Sequence, residues 1–144
     1  MGNSPMIKLY LVDDDAVFLK SLEIDFLDSS LFEIHCFSSG EDCLNAMNVQ
    51  PDIVVLDYLL DGINPHAMNG IETLDGIKAI NNKIPVIMLS GQDKIDVAVN
   101  CMHHKAFDYV VKSETAFFRI ERDITHILKN KKMETQLEWY MDRM

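Results

Sequence analysis

The sequence is poor in cysteine and has no long apolar run, and both shortages narrow the possible classes of protein. Its 3 cysteines are Cys36, Cys43 and Cys101, an odd number without Cys-x-x-Cys spacing. This pattern argues against a disulfide framework or a zinc site and is typical of a reducing compartment. The longest apolar runs are far too short to cross a bilayer, so we expect no contact with a membrane.

Positive charge is also scarce over most of the chain. Residues 1–111 contain 6 basic side chains against 17 acidic ones, whereas residues 112–144 contain 7 against 6. An acidic body is a poor binder of nucleic acid, because the neutralisation of phosphates requires clustered Lys or Arg. We therefore expect no direct binding of nucleic acid, and we expect partners that are cations or basic protein surfaces.

Short apolar runs alternate with helix-like stretches five times along the chain. The predicted strands cover residues 7–12, 32–37, 52–57, 84–89 and 107–111. The predicted helices cover residues 15–27, 40–49, 69–82, 93–105 and a long segment from about Ser113. At 144 residues the chain is most simply one domain. The alternation predicts an α/β fold in which helices cover both faces of a parallel sheet.

Polar side chains follow four of the five predicted strands. They are Asp13, Asp14 and Asp15 after the first strand, Asp57 at the end of the third, Ser90 after the fourth and Lys112 after the fifth. Alone, Asp57 would be interpreted as a turn residue, and Asp15 is best interpreted as a helix N-cap. Because the carboxyl ends of parallel strands share one edge, however, all four strands direct these groups to the same place.

This set of side chains suits the transfer of a phosphoryl group. Clustered carboxylates repel one another, and Mg²⁺ relieves the repulsion because it prefers oxygen ligands and also binds phosphate oxygens. A carboxylate such as Asp57 can then act as the nucleophile and form an aspartyl phosphate. Lys112, Ser90 and the peptide N–H groups near Gly91 supply donors for the three oxygens of the transferring group.

Four motifs resemble the receiver domain of bacterial two-component response regulators. They are "LVDDD" (11–15), "PDIVVLD" (51–57), "PVIMLSG" (85–91) and "AFDYVVK" (106–112). The resemblance implies a doubly wound, five-stranded parallel sheet of the flavodoxin-like, chemotaxis-regulator type, with strand order 2-1-3-4-5 and five helices, the last extended. We expect a leader at residues 1–6 without a secretory signal, a receiver domain at 7–129, and a helical extension or linker at 130–144.

The resemblance also implies a role for each residue of the site. Asp57 would accept phosphate from a phosphohistidine on a sensor histidine kinase or phosphotransfer protein. The Mg²⁺ ligands would be Asp13, Asp14, Asp57 and the main-chain carbonyl of Leu59. Ser90 and Lys112 would bind the phosphate, and Ser90 and Tyr109 would form the switch. Leu59 and Gln92 would set the phosphate lifetime. The protein would be a cytoplasmic signalling receiver that switches an interaction surface, and it would catalyse only its own phosphotransfer and slow autodephosphorylation.

The sequence departs from the family pattern at three positions. The loop after the third strand is about five residues longer than usual, around residues 62–67. Ser113 follows Lys112 where the family has a proline in a cis peptide, and both isomers remain open. Lys105 replaces the customary glycine at the end of the fourth helix, where we expect strain.

Other functions fit the sequence less well. A metal-dependent phosphatase that uses an aspartyl phosphate needs a second acid two residues after the nucleophile, and Leu59 occupies that position. A receiver that acts without phosphorylation would not need Asp14, Asp57, Ser90 and Lys112 together. A dinucleotide-binding fold would need Gly-x-Gly-x-x-Gly after the first strand, which is missing. His66, and the adjacent His103 and His104, are poor candidates for metal ligands because neither position brings two ligands together.

The C-terminal segment contains two apolar stripes. Phe117, Ile120, Ile124, Ile127 and Leu128 form the first, and Met133, Leu137, Tyr140, Met141 and Met144 form the second. At about 100° per residue the stripes point roughly 150° apart, so one straight helix cannot bury both against the same domain. Either the chain breaks near Asn130, or the extension binds a second copy or a downstream effector domain, or it is a frayed tail.

Overall fold

The fold is a five-stranded parallel sheet with helices on both faces. The computed structural model describes residues 6–143. The strands are β1 (Ile7–Val12), β2 (Phe32–Phe37), β3 (Ile53–Asp57), β4 (Val86–Ser90) and β5 (Asp108–Val111). The helices are α1 (Ala16–Leu27), α2 (Gly40–Asn45), α3 (Gly70–Ile80), α4 (Ile95–His103) and α5 (Ala116–Asp142). The strand order is β2-β1-β3-β4-β5, which confirms the predicted doubly wound fold.

The core consists of two apolar layers, one on each face of the sheet. Every residue of β3 and β4 is buried, because both faces of these central strands are covered. Successive side chains of a strand point to opposite faces, so β1 contributes Tyr10 and Val12 to one layer and Leu9 and Leu11 to the other. The first layer packs on α2, α3 and α4, and the second on α1 and α5.

Side-chain caps fix where three of the helices begin. The Asp15 carboxylate accepts hydrogen bonds from the N–H groups of Val17 and Phe18, which confirms Asp15 as the N-cap of α1. Ser39 caps α2, and Asn69 forms a capping box with Glu72 at the start of α3. Because Asp15 caps α1 with its carboxylate, this acid lies outside the cluster of three acids described below.

Helix α2 ends earlier than its sequence predicts, at Asn45 rather than at residue 49. The Tyr10 hydroxyl lies 2.8 Å from the carbonyl oxygen of Ala46 and 2.7 Å from that of Val49, and its single hydrogen is shared between these two acceptors. Tyr10 comes from β1, so this tertiary contact satisfies carbonyl groups that a longer helix would otherwise have to pair.

Two departures from the family pattern have clear structural outcomes. Lys105 has φ of +74°, the left-handed conformation that the missing glycine predicted. It follows the end of α4, where Ala106 N donates to the carbonyl oxygen of Cys101 at 3.1 Å. No peptide bond within residues 6–143 is cis, so the Lys112–Ser113 bond is trans.

Helix α5 runs without interruption over 27 residues, so a break near Asn130 is wrong. Its first part buries Ile120, Ile124 and Ile127 against the sheet, as predicted. From residue 129 to residue 143 every residue is exposed, and we call residues 130–143 the extension. None of the helices in the described range is long and apolar enough to span a membrane.

Candidate functional site

The polar residues that end four strands meet at the carboxyl edge of the sheet. Asp57 and Ser90 are the last residues of β3 and β4, and Lys112 directly follows β5. The parallel register pairs Asp57 with Leu89 and Ser90 with Val111, so neighbouring strands end at the same level. The predicted convergence of these side chains is therefore present in the structure.

Three carboxylates form the centre of the site. Asp13, Asp14 and Asp57 each offer an oxygen, and the three oxygens lie within 4.8 Å of one another. Asp13 is 1% exposed and Asp57 3%, so both charges are almost entirely removed from water. Backbone donors hold two of the acids in place: Asp15 N donates to Asp13 Oδ1 at 2.9 Å, and Leu59 N donates to Asp57 Oδ1 at 3.4 Å.

The Lys112 ammonium bridges two of these acids. Its Nζ lies 2.8 Å from Asp13 Oδ2 and 3.4 Å from Asp57 Oδ2. Burial lowers the pKa of Lys112, but the hydrogen bond to Asp13 and the charges of Asp57 and Asp13 outweigh burial and leave the pKa raised. Lys112 therefore stays cationic, and its shorter ion pair is with Asp13 rather than with Asp57.

One lysine does not balance three acids, and the ionisation of Asp57 is disfavoured as a result. Burial raises the pKa of Asp57 well above its ordinary value, and the charge of Asp13 and a hydrogen bond with Asp13 raise it further. Lys112 and the N–H of Leu59 oppose this shift only in part. The surrounding acids and burial therefore disfavour ionised Asp57, and a bound cation would offset that penalty.

The unpaired carboxylate oxygen of Asp14 supports the binding of a divalent cation in this cluster. Asp14 Oδ2 is buried and has no hydrogen-bond partner in the part of the chain that the structure describes. A buried carboxylate oxygen without a partner is costly, and a bound ion would satisfy it. Three carboxylate oxygens are a donor set that suits Mg²⁺, so the residues present fit this ion. The carbonyl of Leu59 as a further ligand stays a prediction.

A short chain of hydrogen bonds joins Ser90 to Tyr109. Ser90 is 3% exposed, and its Oγ accepts a hydrogen bond from Gln92 N at 3.1 Å. The carbonyl oxygen of Gln92 in turn accepts a hydrogen bond from the Tyr109 hydroxyl. A change in the hydrogen bonding of Ser90 can therefore reach Tyr109 through a single residue, although inward rotation of Tyr109 stays a prediction.

The enlarged loop after β3 lies against the acidic cluster. A Cβ atom at Gly62 would lie 3.2 Å from Leu59 Cδ2 and 3.8 Å from Asp14 Oδ2. The far end of the loop is fixed, because Met68 N donates to Glu41 Oε2 at 3.0 Å. Leu59 is 55% exposed, and its place beside the phosphate stays a prediction.

The histidines stay outside the site. Within residues 6–143, Asp13, Asp14 and Asp57 form the one cluster of three groups that could hold a metal ion, and it includes no histidine. His104 Nδ1 lies 2.8 Å from Asp75 Oδ1, which ties α4 to α3. The expectation that His66, His103 and His104 are not joint metal ligands agrees with this geometry.

Sequence reasoning missed one residue of the site, Phe18. The Phe18 ring lies 4.6 Å from Lys112 Nζ, and cation–π attraction helps to hold the ammonium over the acids. Phe18 looked like an ordinary core residue of α1, and its nearness to the N-cap Asp15 was the available signal. Gly70, the glycine that ends the enlarged loop, is a further residue of the site, because a Cβ there would overlap the carbonyl oxygen of Asp57 and lie 2.6 Å from that of Tyr58.

Comparisons with known proteins agree with this geometry. The family model described as response regulator receiver domain matches residues 9–118. The chain is 35% identical over 112 residues to a protein-glutamate methylesterase/protein-glutamine glutaminase of Clostridium acetobutylicum, covering 74% of this chain and 31% of that protein. It is also 35% identical over 106 residues to transcriptional regulatory protein PrrA of Mycobacterium leprae, covering 73% and 43%. The chain therefore spans less than half the length of these curated relatives.

A solved structure shows the same fold. The CheY-like response regulator receiver domain protein of Methanospirillum hungatei superposes with a TM-score of 0.76 at 18% identity. The superposition covers 90% of this chain and 99% of that one. At this identity the likeness supports the fold, whereas the roles of individual residues depend on the site geometry above.

Proposed function

Because this chain belongs to the response regulator receiver domain family, whose members act as phosphoacceptors in two-component signalling, we propose that Asp57 accepts the phosphoryl group. One observation supports this choice most strongly. Asp57 is the acid of the cluster that ends the central strand β3, and the Lys112 ammonium, held by Asp13 at 2.8 Å, lies 3.4 Å from its carboxylate. Its carboxylate therefore lies where a cation and an ammonium can both contact a bound phosphoryl group.

Asp13, Asp14 and Asp57 would hold Mg²⁺, together with the carbonyl of Leu59. When bound, Mg²⁺ supplies positive charge to the oxygens of the phosphoryl group and to the attacking carboxylate. Asp13 has a second role, because its contact with Lys112 at 2.8 Å holds the ammonium beside Asp57. The charge of the three acids and the uncompensated oxygen of Asp14 support this assignment.

The phosphoryl group would come from a phosphohistidine of a sensor histidine kinase or phosphotransfer protein. An oxygen of Asp57 forms the new bond to phosphorus as the bond from phosphorus to the histidine nitrogen breaks, and the nitrogen keeps the electron pair. Lys112 and Ser90 would bind the oxygens of the transferring group, where charge is spread in the transition state. The phosphohistidine supplies the phosphoryl group and its imidazole leaves. The residues of the acceptor site would therefore catalyse the phosphorylation of Asp57.

The phosphate would switch an interaction surface through Ser90. Binding of Ser90 Oγ to the phosphate competes with its bond to Gln92 N, and Gln92 also accepts from Tyr109. Leu59 and Gln92 would flank the water that removes the phosphate, so autodephosphorylation would be slow. The extension would bind either a second copy or a downstream effector domain, in keeping with the greater length of the relatives. A cytoplasmic setting suits these roles.

Mass spectrometry of the intact chain tests the acceptor. A small-molecule phosphodonor with Mg²⁺ should add ~80 Da, the mass of one phosphoryl group. The adduct should be lost with EDTA and in Asp57→Asn. Asp15→Asn is the matched control, since Asn is an equally good N-cap and Asp15 is not among the metal-ligating acids. An adduct that persists in Asp57→Asn would show that another residue is the acceptor.

A further inference from the structure

The extension presents an apolar stripe that nothing in the described chain covers. Met133, Leu137, Tyr140 and Met141 are each between 57% and 63% exposed. They continue the same unbroken helix whose first part is buried against the sheet. A contiguous apolar stripe on an otherwise polar helix usually marks a site of protein contact.

The stripe points away from the body of the domain. Lys131 Nζ lies 3.7 Å from Asp52 Oδ1, so the side of the helix that carries Lys131 faces the sheet. Lys131 falls on the same side as Ile120, Ile124 and Ile127, and the stripe lies roughly 125° around the helix from that side. A partner helix can therefore approach the stripe from Met133 onward, whereas Asn130 and Glu134 line a cleft that Asp52 and Asn81 of the domain body also line.

The spacing of the stripe is that of a two-stranded coiled coil. Residues 130, 133, 137 and 140 follow one another at intervals of three, four and three, which are the a and d positions of a heptad repeat. In this register Asn130 and Leu137 occupy a, and Met133 and Tyr140 occupy d. A polar Asn at a single a position favours one register and two strands.

We propose that the extension pairs in parallel with the extension of a second copy of this chain. The charged residues beside the seam favour a second copy as the partner and a parallel orientation of the two helices. In the same register Lys129 occupies a g position and Glu134 the following e position, and parallel strands place g of one helix against e of the other. Two attractive pairs therefore form in a parallel dimer of identical chains. Antiparallel strands would instead place the g positions Lys129 and Arg143 together, and these like charges repel.

Trp139 is an exposed aromatic residue of the extension that lies outside the proposed seam and contacts another residue of its own helix. The Arg143 guanidinium lies 3.9 Å from the centre of its ring. Trp139 occupies the c position, on the outer side of the proposed pair. It can remain exposed in the dimer, and it provides an internal control for substitutions at the seam.

This inference deepens the partner role proposed above for the extension, because it names the partner, but it does not require phosphorylation of Asp57. Sedimentation equilibrium of the full chain without a phosphodonor tests it, while intact mass tests Asp57 separately. We expect a reversible dimer of modest affinity, since the seam spans only about two heptads. A chain that stays monomeric at the highest soluble concentration overturns the inference and leaves the proposed acceptor untouched.

Matched substitutions locate the seam. Leu137→Glu places a charge at an a position, and it should raise the dissociation constant of the dimer more than about tenfold. Trp139→Glu makes the same chemical change two residues away and should leave the constant within about twofold. Both residues are exposed in the single chain, so neither change should unfold the domain. Equal weakening by both substitutions would contradict the seam.

Charge reversal and cross-linking test the direction of the helices. Lys129→Glu and Glu134→Lys should each weaken the dimer, and the double variant should regain affinity. Tyr140→Cys in a Cys36→Ser background should form a homodisulfide on mild oxidation, because identical d positions face each other only in parallel strands. Cys43 and Cys101 are buried and do not compete. Failure of the double variant to recover, or no homodisulfide from a dimeric sample, overturns the parallel arrangement.

Discussion

At the scale of single residues, the site contains buried carboxylates whose burial costs stability and whose presence the packing of the fold does not require. Asp13 and Asp57 are almost fully buried beside Asp14, with one ammonium for three acids. Two neighbours matter through their size. Leu59 has a bulky apolar side chain two residues after Asp57, and Gly70 has no side chain, so the carbonyl oxygen of Asp57 can lie against it. Changes at these two positions should therefore alter the chemistry of Asp57 without altering its ligands.

Leu59→Asn should shorten the lifetime of the phosphorylated state. Hydrolysis needs a water in line with the bond from phosphorus to the Asp57 oxygen, and the exposed Leu59 side chain can exclude but cannot position it. A polar side chain that orients the water should speed loss of phosphate about tenfold, or ~1.4 kcal/mol of barrier. A coupled assay for released phosphate at fixed Mg²⁺ measures the rate.

Ile63→Asn is the matched control for this prediction, because Ile63 is 76% exposed in the same loop. It should leave the rate of dephosphorylation unchanged. An unchanged or slower rate in Leu59→Asn would instead implicate the enlarged loop, and not Leu59, in limiting access of water.

Gly70→Ala should destabilise the domain and slow phosphorylation. Its Cβ would overlap the carbonyl oxygen of Asp57, so β3 or the start of α3 must move. We expect a loss of about 2 kcal/mol in the free energy of unfolding in urea. Gly91→Ala is the control, since a Cβ at Gly91 meets nothing within 4 Å. Equal stability of the two variants would show that the loop adjusts freely.

At the scale of elements, the strand ends were predictable, whereas some helix ends were not. Asp57, Ser90 and Lys112 could be placed together from sequence, because parallel strands share a carboxyl edge whatever surrounds them. The early end of α2 could not, since it depends on the Tyr10 hydroxyl of a distant strand. The contact of Phe18 with Lys112 likewise depends on how α1 packs beside β5. The conformation of Lys105 was foreseeable, because it replaces a glycine.

The packing of α5 on β5 includes a second pair of acids. Asp123 is 5% exposed, and its pKa is raised by burial first and then by a hydrogen bond with Asp108 and the charge of Asp108. A group whose pKa is higher in the folded state contributes stability below its unfolded pKa and loses it as the pH rises through the folded value. Ionisation of Asp123 therefore weakens this packing.

Asp123→Asn should stabilise the chain at high pH alone. The amide stays neutral and can donate to Asp108, so we expect a gain of about 1 kcal/mol in the free energy of unfolding near pH ~8 and little change near pH ~3, where Asp123 is largely protonated in the folded and the unfolded chain alike. Urea unfolding at the two pH values measures it, with Glu121→Gln on the exposed side of α5 as the control. A gain that is equal at both pH values would show that the effect does not arise from ionisation of Asp123.

At the scale of the whole molecule, the acidic cluster predicts that Mg²⁺ stabilises the folded chain. Mg²⁺ that binds the folded chain alone should raise the free energy of unfolding by about 2.7 kcal/mol at ~100 times its dissociation constant. Asp14→Asn should remove most of this gain, because it takes away the oxygen that has no other partner. Thermal unfolding with Mg²⁺ and with EDTA measures both chains.

Asp15→Asn provides the control, and it should respond to Mg²⁺ as the unaltered chain does. A Mg²⁺ effect of equal size in Asp14→Asn would place the ion elsewhere on this acidic molecule.

The fold and the acidic cluster were both visible in the sequence, but the uneven charge balance around Lys112 required the distances between the side chains.

The most direct test of the account is to locate the phosphoryl group by tandem mass spectrometry after treatment with a phosphodonor and Mg²⁺. The account predicts a single labile adduct on the peptide that contains Asp57, assigned to the Asp57 carboxylate and missing when EDTA is present. An adduct on Asp13, Asp14 or any other residue, or an unmodified Asp57 under conditions that bind Mg²⁺, would contradict it.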